Sequence, residues 1–275
     1  MKDLIKIDLN KPVSSLKERN APYYYILIVE GDASFSIDFT EYNCTGKSLI
    51  FLSPYQLLQW HNSSDTLCTQ LRFHGDFYCI EYHKKEVACN GILFNSIYHN
   101  PFISISEEVF EEIVSTVDKM NDLSHSDLDI SIIKTYLQLI LALSSKEKQL
   151  HPSWTKEDVL TDDSINGFQT LLESSFLESR EVAFYASKFG LTNETFSKKI
   201  KKHFGKPPTK LIQERVVLEA KKLLHLTYKP IKEIAMELCF EDEFYFSRYF
   251  KKEVCVSPKK FREDVGISIV AKKSR

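Results

Sequence analysis

The sequence predicts a two-part α and β protein: a β-rich sandwich or small barrel followed by helices, then an all-α domain with two helix-turn-helix motifs. Three observations predict it. Short apolar runs between Tyr23 and His74 are separated by Gly, Asp, Asn and Pro, the pattern of strands in a sandwich or barrel. Residues 168–275 carry 22 Lys+Arg against 14 Asp+Glu, a charge of +8, whereas residues 1–167 carry 14 against 24, a charge of −10. Finally, the stretch Ser179–Arg262 contains one small design twice.

At 275 residues the chain exceeds the roughly 200 residues that a single core usually supports, so two domains are expected. A basic half joined to an acidic half suggests that only the C-terminal half meets a polyanion. The opening MKDLIKIDLNKP lacks an apolar signal-peptide region, and no apolar run approaches the roughly 18 residues of a membrane span. The six cysteines (44, 68, 79, 89, 239 and 255) form no CxxC pair and no Cys/His cluster at zinc spacing. They read as thiols of a reducing cytoplasm, with no metal and no cofactor expected.

Residues 1–20 read as a polar arm without periodicity. Strands are expected over Tyr23–Gly31, Ala33–Phe39, Ser48–Pro54 and Thr66–His74, with Gly31-Asp32 as a hairpin turn between the first two. A helix over Glu107–Met120 places Val109, Ile113, Val114 and Val117 on one stripe behind an N-cap at Ser106. The next helix, Leu128–Leu143, is apolar over a broader surface than one packing face requires, so part of it is available to a second subunit, as in a homodimer. The other reading is a helix covered on two sides by its own barrel. Ser144–Gly167 is polar and aperiodic around Pro152 and reads as a linker. The expected divisions are 1–145, 146–162 and 163–275.

Helices then follow quickly. Ser164 is placed to cap one carrying Ile165, Phe168, Leu171 and Leu172, and Ser179 to cap one carrying Val182, Ala186 and Phe189. Gly190 ends the latter where a left-handed residue is wanted. Thr192 caps a third, anchored by Phe196 and Ile200. A short helix, a tight turn and a second helix with one apolar stripe is the helix-turn-helix pattern. The second copy repeats it with Ile231, Ile234, Ala235 and Leu238, then Phe246 and Phe250, after a turn one residue longer. Between the copies, Thr209–Leu226 spans roughly 27 Å if helical, against the roughly 34 Å between successive major-groove faces.

Residues 163–264 resemble the C-terminal domain of the AraC/XylS family of transcription regulators. The likeness is carried by Ala220, Leu223 and Leu224 of the linking helix, by Ile231, Ile234 and Ala235, and by Phe240. The run Tyr245-Phe246-Ser247-Arg248-x-Phe250-Lys251-Lys252 and Ser257-Pro258-x-x-Phe261-Arg262 complete it. Cys239 and Cys255 depart from the family, which usually has glycine at both places.

The resemblance implies double-stranded DNA as partner, with recognition helices at about 192–203 and 241–252. Base-edge contacts are expected from Asn193, Glu194, Ser197 and Lys198 in the first and from Glu243, Tyr245 and Arg248 in the second. Lys201, Lys202, Lys251, Lys252, Lys259 and Lys260 are assigned to phosphates, which position the protein without reading sequence. For the N-terminal half the family likeness implies a cupin-like β-barrel that binds a small effector, followed by a dimerising helix. The resemblance also implies RNA polymerase as a further partner, with activation and repression both open. Gln70, Arg72 and His74 alternate on one strand face and are the candidate pocket for an anionic effector. The alternative is a cupin-type binding protein or enzyme with a basic interaction tail. His61 and His74 stand without an H-x-H pair, so metalloenzyme chemistry is not expected.

Overall fold

The computed structural model describes residues 4–13, 21–38, 40–62, 66–80, 92–94, 97–123, 126–150 and 163–267. The chain divides into two compact units. One comprises residues 1–96 and 101–151 with 263–275, the other Ile97–Asn100 with 152–262.

The first unit is built on eight described strands. These are β1 (Ile5–Pro12), β2 (Tyr23–Glu30), β3 (Ala33–Ile37), β4 (Thr40–Cys44), β5 (Lys47–Leu52), β6 (Leu58–Asn62), β7 (Leu67–His74) and β8 (Phe102–Ser104). A five-stranded antiparallel sheet has the order β1-β7-β2-β5-β8, and a three-stranded one the order β4-β3-β6. The larger sheet is buried on both faces, which is why Tyr23–Glu30 reads as a continuous apolar run rather than an alternating one. Tyr25, Leu27, Val29, Ile50, Leu52 and Cys68 meet Phe35 and Ile37 of the smaller sheet. Ile26, Ile28, Leu49, Phe51, Leu71 and Phe73 face the helices α1 (Glu107–Asn121) and α2 (Asp127–Leu150).

Three expectations are corrected here. Residues 5–12 form a strand, not an arm: Ile5 and Ile7 alternate with polar residues and pair with Phe73 and Leu71 of β7. Gly31-Asp32 does not close a hairpin. β2 pairs with β5 and β7 while β3 pairs with β4 and β6, so Gly31, at φ 111°, carries the chain from one sheet to the other. The helix expected to stop at Leu143 continues to Leu150, because Ser144–Leu150 contains good helix formers and no Gly or Pro. The rest of the expected linker, 151–162, lies outside the described residues, as does Phe39.

In α1 the Ser106 hydroxyl accepts from Val109 N at 3.4 Å, the expected cap. Its buried face is Phe110, Ile113, Val117 and Met120, with Val109 and Val114 at the margins. From α2 the residues Ile133, Leu137, Ile140 and Leu141 enter the same core. By length and composition α2 is apolar enough to cross a membrane, more than the sequence reading allowed, yet this face is packed within the first unit.

The second unit contains α3 (Asp163–Ser175), α4 (Val182–Lys188), α5 (Asn193–Phe204), α6 (Pro208–Leu226), α7 (Ile231–Glu237) and α8 (Glu243–Val254), and ends in α9 (Pro258–Val265), the last residues of which are grouped with the first unit. Two caps differ from expectation. α3 begins at Asp163, so Ser164 stands inside the helix rather than before it. α4 is preceded by Glu181 without a side-chain cap, since Ser179 Oγ instead accepts from Glu181 N and Ser179 O accepts from Tyr185 Oη at 2.9 Å. Burial pushes that Tyr185 phenol up to about 12.

Candidate nucleic-acid interface

The two copies superimpose in their local chemistry. α4 and α7 are each 7 residues, and α5 and α8 each 12. Leu191 N donates to Ala186 O at 3.1 Å, and Phe240 N to Ala235 O at 2.9 Å. These are matching helix-end closures, and each needs a left-handed residue, supplied by Gly190 (φ 63°) and Cys239 (φ 55°). The second helix of each copy opens on a side-chain cap. Thr192 Oγ1 accepts from Thr195 N at 3.3 Å, and Asp242 Oδ1 from Tyr245 N at 2.7 Å. Each then closes on a second left-handed residue, Gly205 (φ 70°) and Cys255 (φ 66°). The two cysteines that depart from the family therefore keep the backbone that glycine would adopt.

Buried anchors hold each exposed helix. Buried Phe196 and Ile200 fix α5, with the Phe196 ring stacked on Phe189 and edge-on to Phe168. Phe246, Phe250 and Val254 fix α8. Small Ala186 and Ala235 are buried in the crossing of each pair. The bridging α6 has 19 residues, about 28 Å, and is tied to α3 by buried Arg215, which pairs with Glu173 at 2.9 Å and with Glu219 at 2.8 Å.

Outside this core the structure exposes Asn193, Glu194, Lys198, Lys201 and Lys202 on α5, with Ser197 half-buried. Lys198 Nζ lies 2.7 Å from Glu194, an exposed pair one helical turn apart. On α8, Tyr245, Arg248, Lys251 and Lys252 are exposed while Glu243 is half-buried; Lys259 and Lys260 are exposed on α9. One residue was missed. Phe244 is 75% exposed, and an offset of 50 makes it, not Glu243, the counterpart of Glu194. The repeat itself held that signal.

In the first unit, Gln70, Arg72 and His74 do share one strand face, turned toward the interior between the sheets, but two are already engaged. Gln70 Nε2 donates to Asp8 at 3.2 Å, and His74 Nδ1 accepts from Asp76 N at 3.2 Å. Arg72 lies over the Tyr23 ring at 4.8 Å, and its buried Nε has no hydrogen-bond partner. A cleft of about 220 Å³ opens on the opposite face, between the sheet and α1, and is lined by Ile28, Thr69, Phe110 and Val117 among others. None of the three predicted pocket residues lines it. Among the described residues no group of His, Cys, Asp and Glu is arranged to hold a metal.

A repeated, capped and cation-bearing helix pair of this kind defines a double helix-turn-helix DNA-binding protein. A family model described as a helix-turn-helix domain matches residues 185–264. The chain is 20% identical over 274 residues to the transcriptional activator RhaS of Escherichia fergusonii, covering 96% of this chain and 94% of that one. It is 24% identical over 272 residues to the virulence regulon transcriptional activator VirF of Yersinia enterocolitica, covering 94% and 96%. Among solved structures, apo ToxT of Vibrio cholerae aligns over 95% of this chain and 97% of its own, with 15% identity and a TM-score of 0.42. Residues 185–264 are a helix-turn-helix domain, the chain is similar along its length to transcriptional activators, and it is a DNA-binding transcription regulator.

Proposed function

We propose that the protein is a cytoplasmic, homodimeric, effector-responsive activator that reads a bipartite operator with α5 and α8 in successive major-groove turns. The observation that carries this is the equivalence of the two helices: equal length, matching caps and cation-bearing outer faces, on a 19-residue bridge of about 28 Å. In this reading Asn193, Glu194, Ser197 and Lys198, with Glu243, Phe244, Tyr245 and Arg248, meet base edges. Arg248 suits guanine, and the Phe244 ring suits a thymine methyl. Lys201, Lys202, Lys251, Lys252, Lys259 and Lys260 meet phosphates.

Dimerisation is supported by the second face of α2. Leu128 is 82% exposed, Ile132 42% and Leu139 38%, while the helix's other face is core. Arg72 supports an anionic effector held between the sheets, because its unsatisfied buried Nε is costly until a ligand accepts from it. The relatives named as activators support activation over repression and recruitment of RNA polymerase. A cupin enzyme with a basic tail is disfavoured, since it gives no reason for two complete reading units. The test is selection from a randomised duplex library with the full chain. Recovery of a two-part consensus supports the reading, and recovery of unrelated duplexes contradicts it.

A further inference from the structure

Arg180 lies in the turn before α4, in the first helix-turn-helix, but its guanidinium acts on the second. Its Nη2 donates to Leu238 O at 2.5 Å and to Cys239 O at 3.3 Å, the carbonyls at the end of α7. Its Cζ sits 3.7 Å from the centroid of the Phe240 ring and 5.9 Å from that of Tyr249. Its hydrogen bonds and ring contacts thus converge on this one turn. The arrangement combines helix C-terminal carbonyls with an aromatic face, both of which attract a planar cation.

The contact is not repeated in reverse. An offset of 49 puts Lys229 at the place of Arg180 in the second copy, and Lys229 pairs with Glu237 of its own copy. Phe240, gripped by Arg180, also packs against Tyr245 at 5.7 Å, Phe246 at 5.2 Å and Tyr249 at 5.2 Å, all on α8. A continuous path of contacts thus runs from the first reading unit through Arg180 and Phe240 to the base of the second recognition helix. It crosses the turn that contains left-handed Cys239, where the backbone is strained.

We infer that Arg180 is a positioning residue that fixes the rotation of α8 relative to α5, and through it the spacing between the two half-sites the protein accepts. This rests on the reading of both helices as DNA readers. One added base pair turns a half-site by about 35° and moves it about 3.4 Å, so a rigid pair of readers discriminates against it and a loosened pair tolerates it.

The experiment uses the duplex that the full chain selects from a randomised library, remade with one base pair deleted, one inserted or two inserted between the half-sites. Binding of the wild type, Arg180→Gln, Arg180→Lys and Phe240→Leu is measured by fluorescence anisotropy, with melting curves to show that each is folded. The wild type is expected to lose about tenfold or more in affinity at each altered spacing. Arg180→Gln is expected to lose about fivefold at the native spacing and to vary less than about threefold across the series. Arg180→Lys should follow Gln, because an ammonium cannot stack and fork at once. Phe240→Leu keeps apolar bulk without the ring and should flatten the series as well. A purely structural role would weaken binding equally at every spacing, and that unchanged profile would overturn the inference while leaving the DNA reading intact. Failure of the wild type to select any consensus would overturn the DNA reading, and this inference with it.

Discussion

Cys239 occupies in the second helix-turn-helix the left-handed backbone position that Gly190 occupies in the first, φ 55° against 63°. Cβ makes that conformation costly by roughly 1–2 kcal/mol, partly offset by the greater unfolded-state freedom of glycine. Cys239→Gly and Cys255→Gly should therefore each raise stability by about 0.5–1 kcal/mol, read as a melting temperature higher by a few degrees. Unchanged or lower melting temperatures would show that the thiols make compensating contacts.

Base readers and phosphate contacts should separate on mutation. Arg248→Ala should cost about 1–3 kcal/mol on the selected duplex and relax preference at one position. Phe244→Ala should weaken discrimination at a thymine with little change on random DNA. Lys252→Ala should weaken all duplexes alike and reduce the salt slope by about one. Anisotropy titrations at several salt concentrations distinguish these outcomes, and equal effects on random and selected DNA for all three would remove the division of roles.

The two faces of α2 should respond differently. Ile132→Lys with Leu139→Lys adds charge to exposed positions and should give a folded monomer in sedimentation velocity. Leu137→Ala opens a cavity in the core and should cost about 2–5 kcal/mol of stability. A dimer surviving the double lysine change would place the interface elsewhere.

Arg72 should decide effector binding. A panel of small carboxylates and phosphates is expected to contain ligands that raise the melting temperature of the wild type but not of Arg72→Met. Equal shifts in both proteins would locate the ligand away from the space between the sheets.

Legibility in the sequence followed the physics of each element. The second unit was readable because helix ends announce themselves: Thr192, Gly190 and the Phe196–Ile200 pair fixed one copy, and repetition fixed the other. In the first unit, the long strands Tyr23–Glu30 and Leu67–His74 were visible as apolar runs. β1, β4, β6 and β8 were not: β1 does alternate Ile5, Ile7 and Leu9 with polar residues, a signal passed over, whereas β4, β6 and β8 are five residues or fewer, too short for a period to show. The pairing of β2 with β5 and β7 depends on long-range contacts that no local turn signal encodes. Arg180 was invisible for the same reason, since its partners lie 58 and 59 residues away. Gln70 and His74 looked free in the sequence because Asp8 and Asp76 stand beside them only through strand pairing and a tight turn.

Selection from a randomised duplex library by the full chain tests the central claim most directly. The account predicts a consensus in which each chain reads two half-sites about one helical turn apart, the half assigned to α8 degenerating in Arg248→Ala and the half assigned to α5 in Lys198→Ala. A single uninterrupted site, or one unaffected by either substitution, would contradict it.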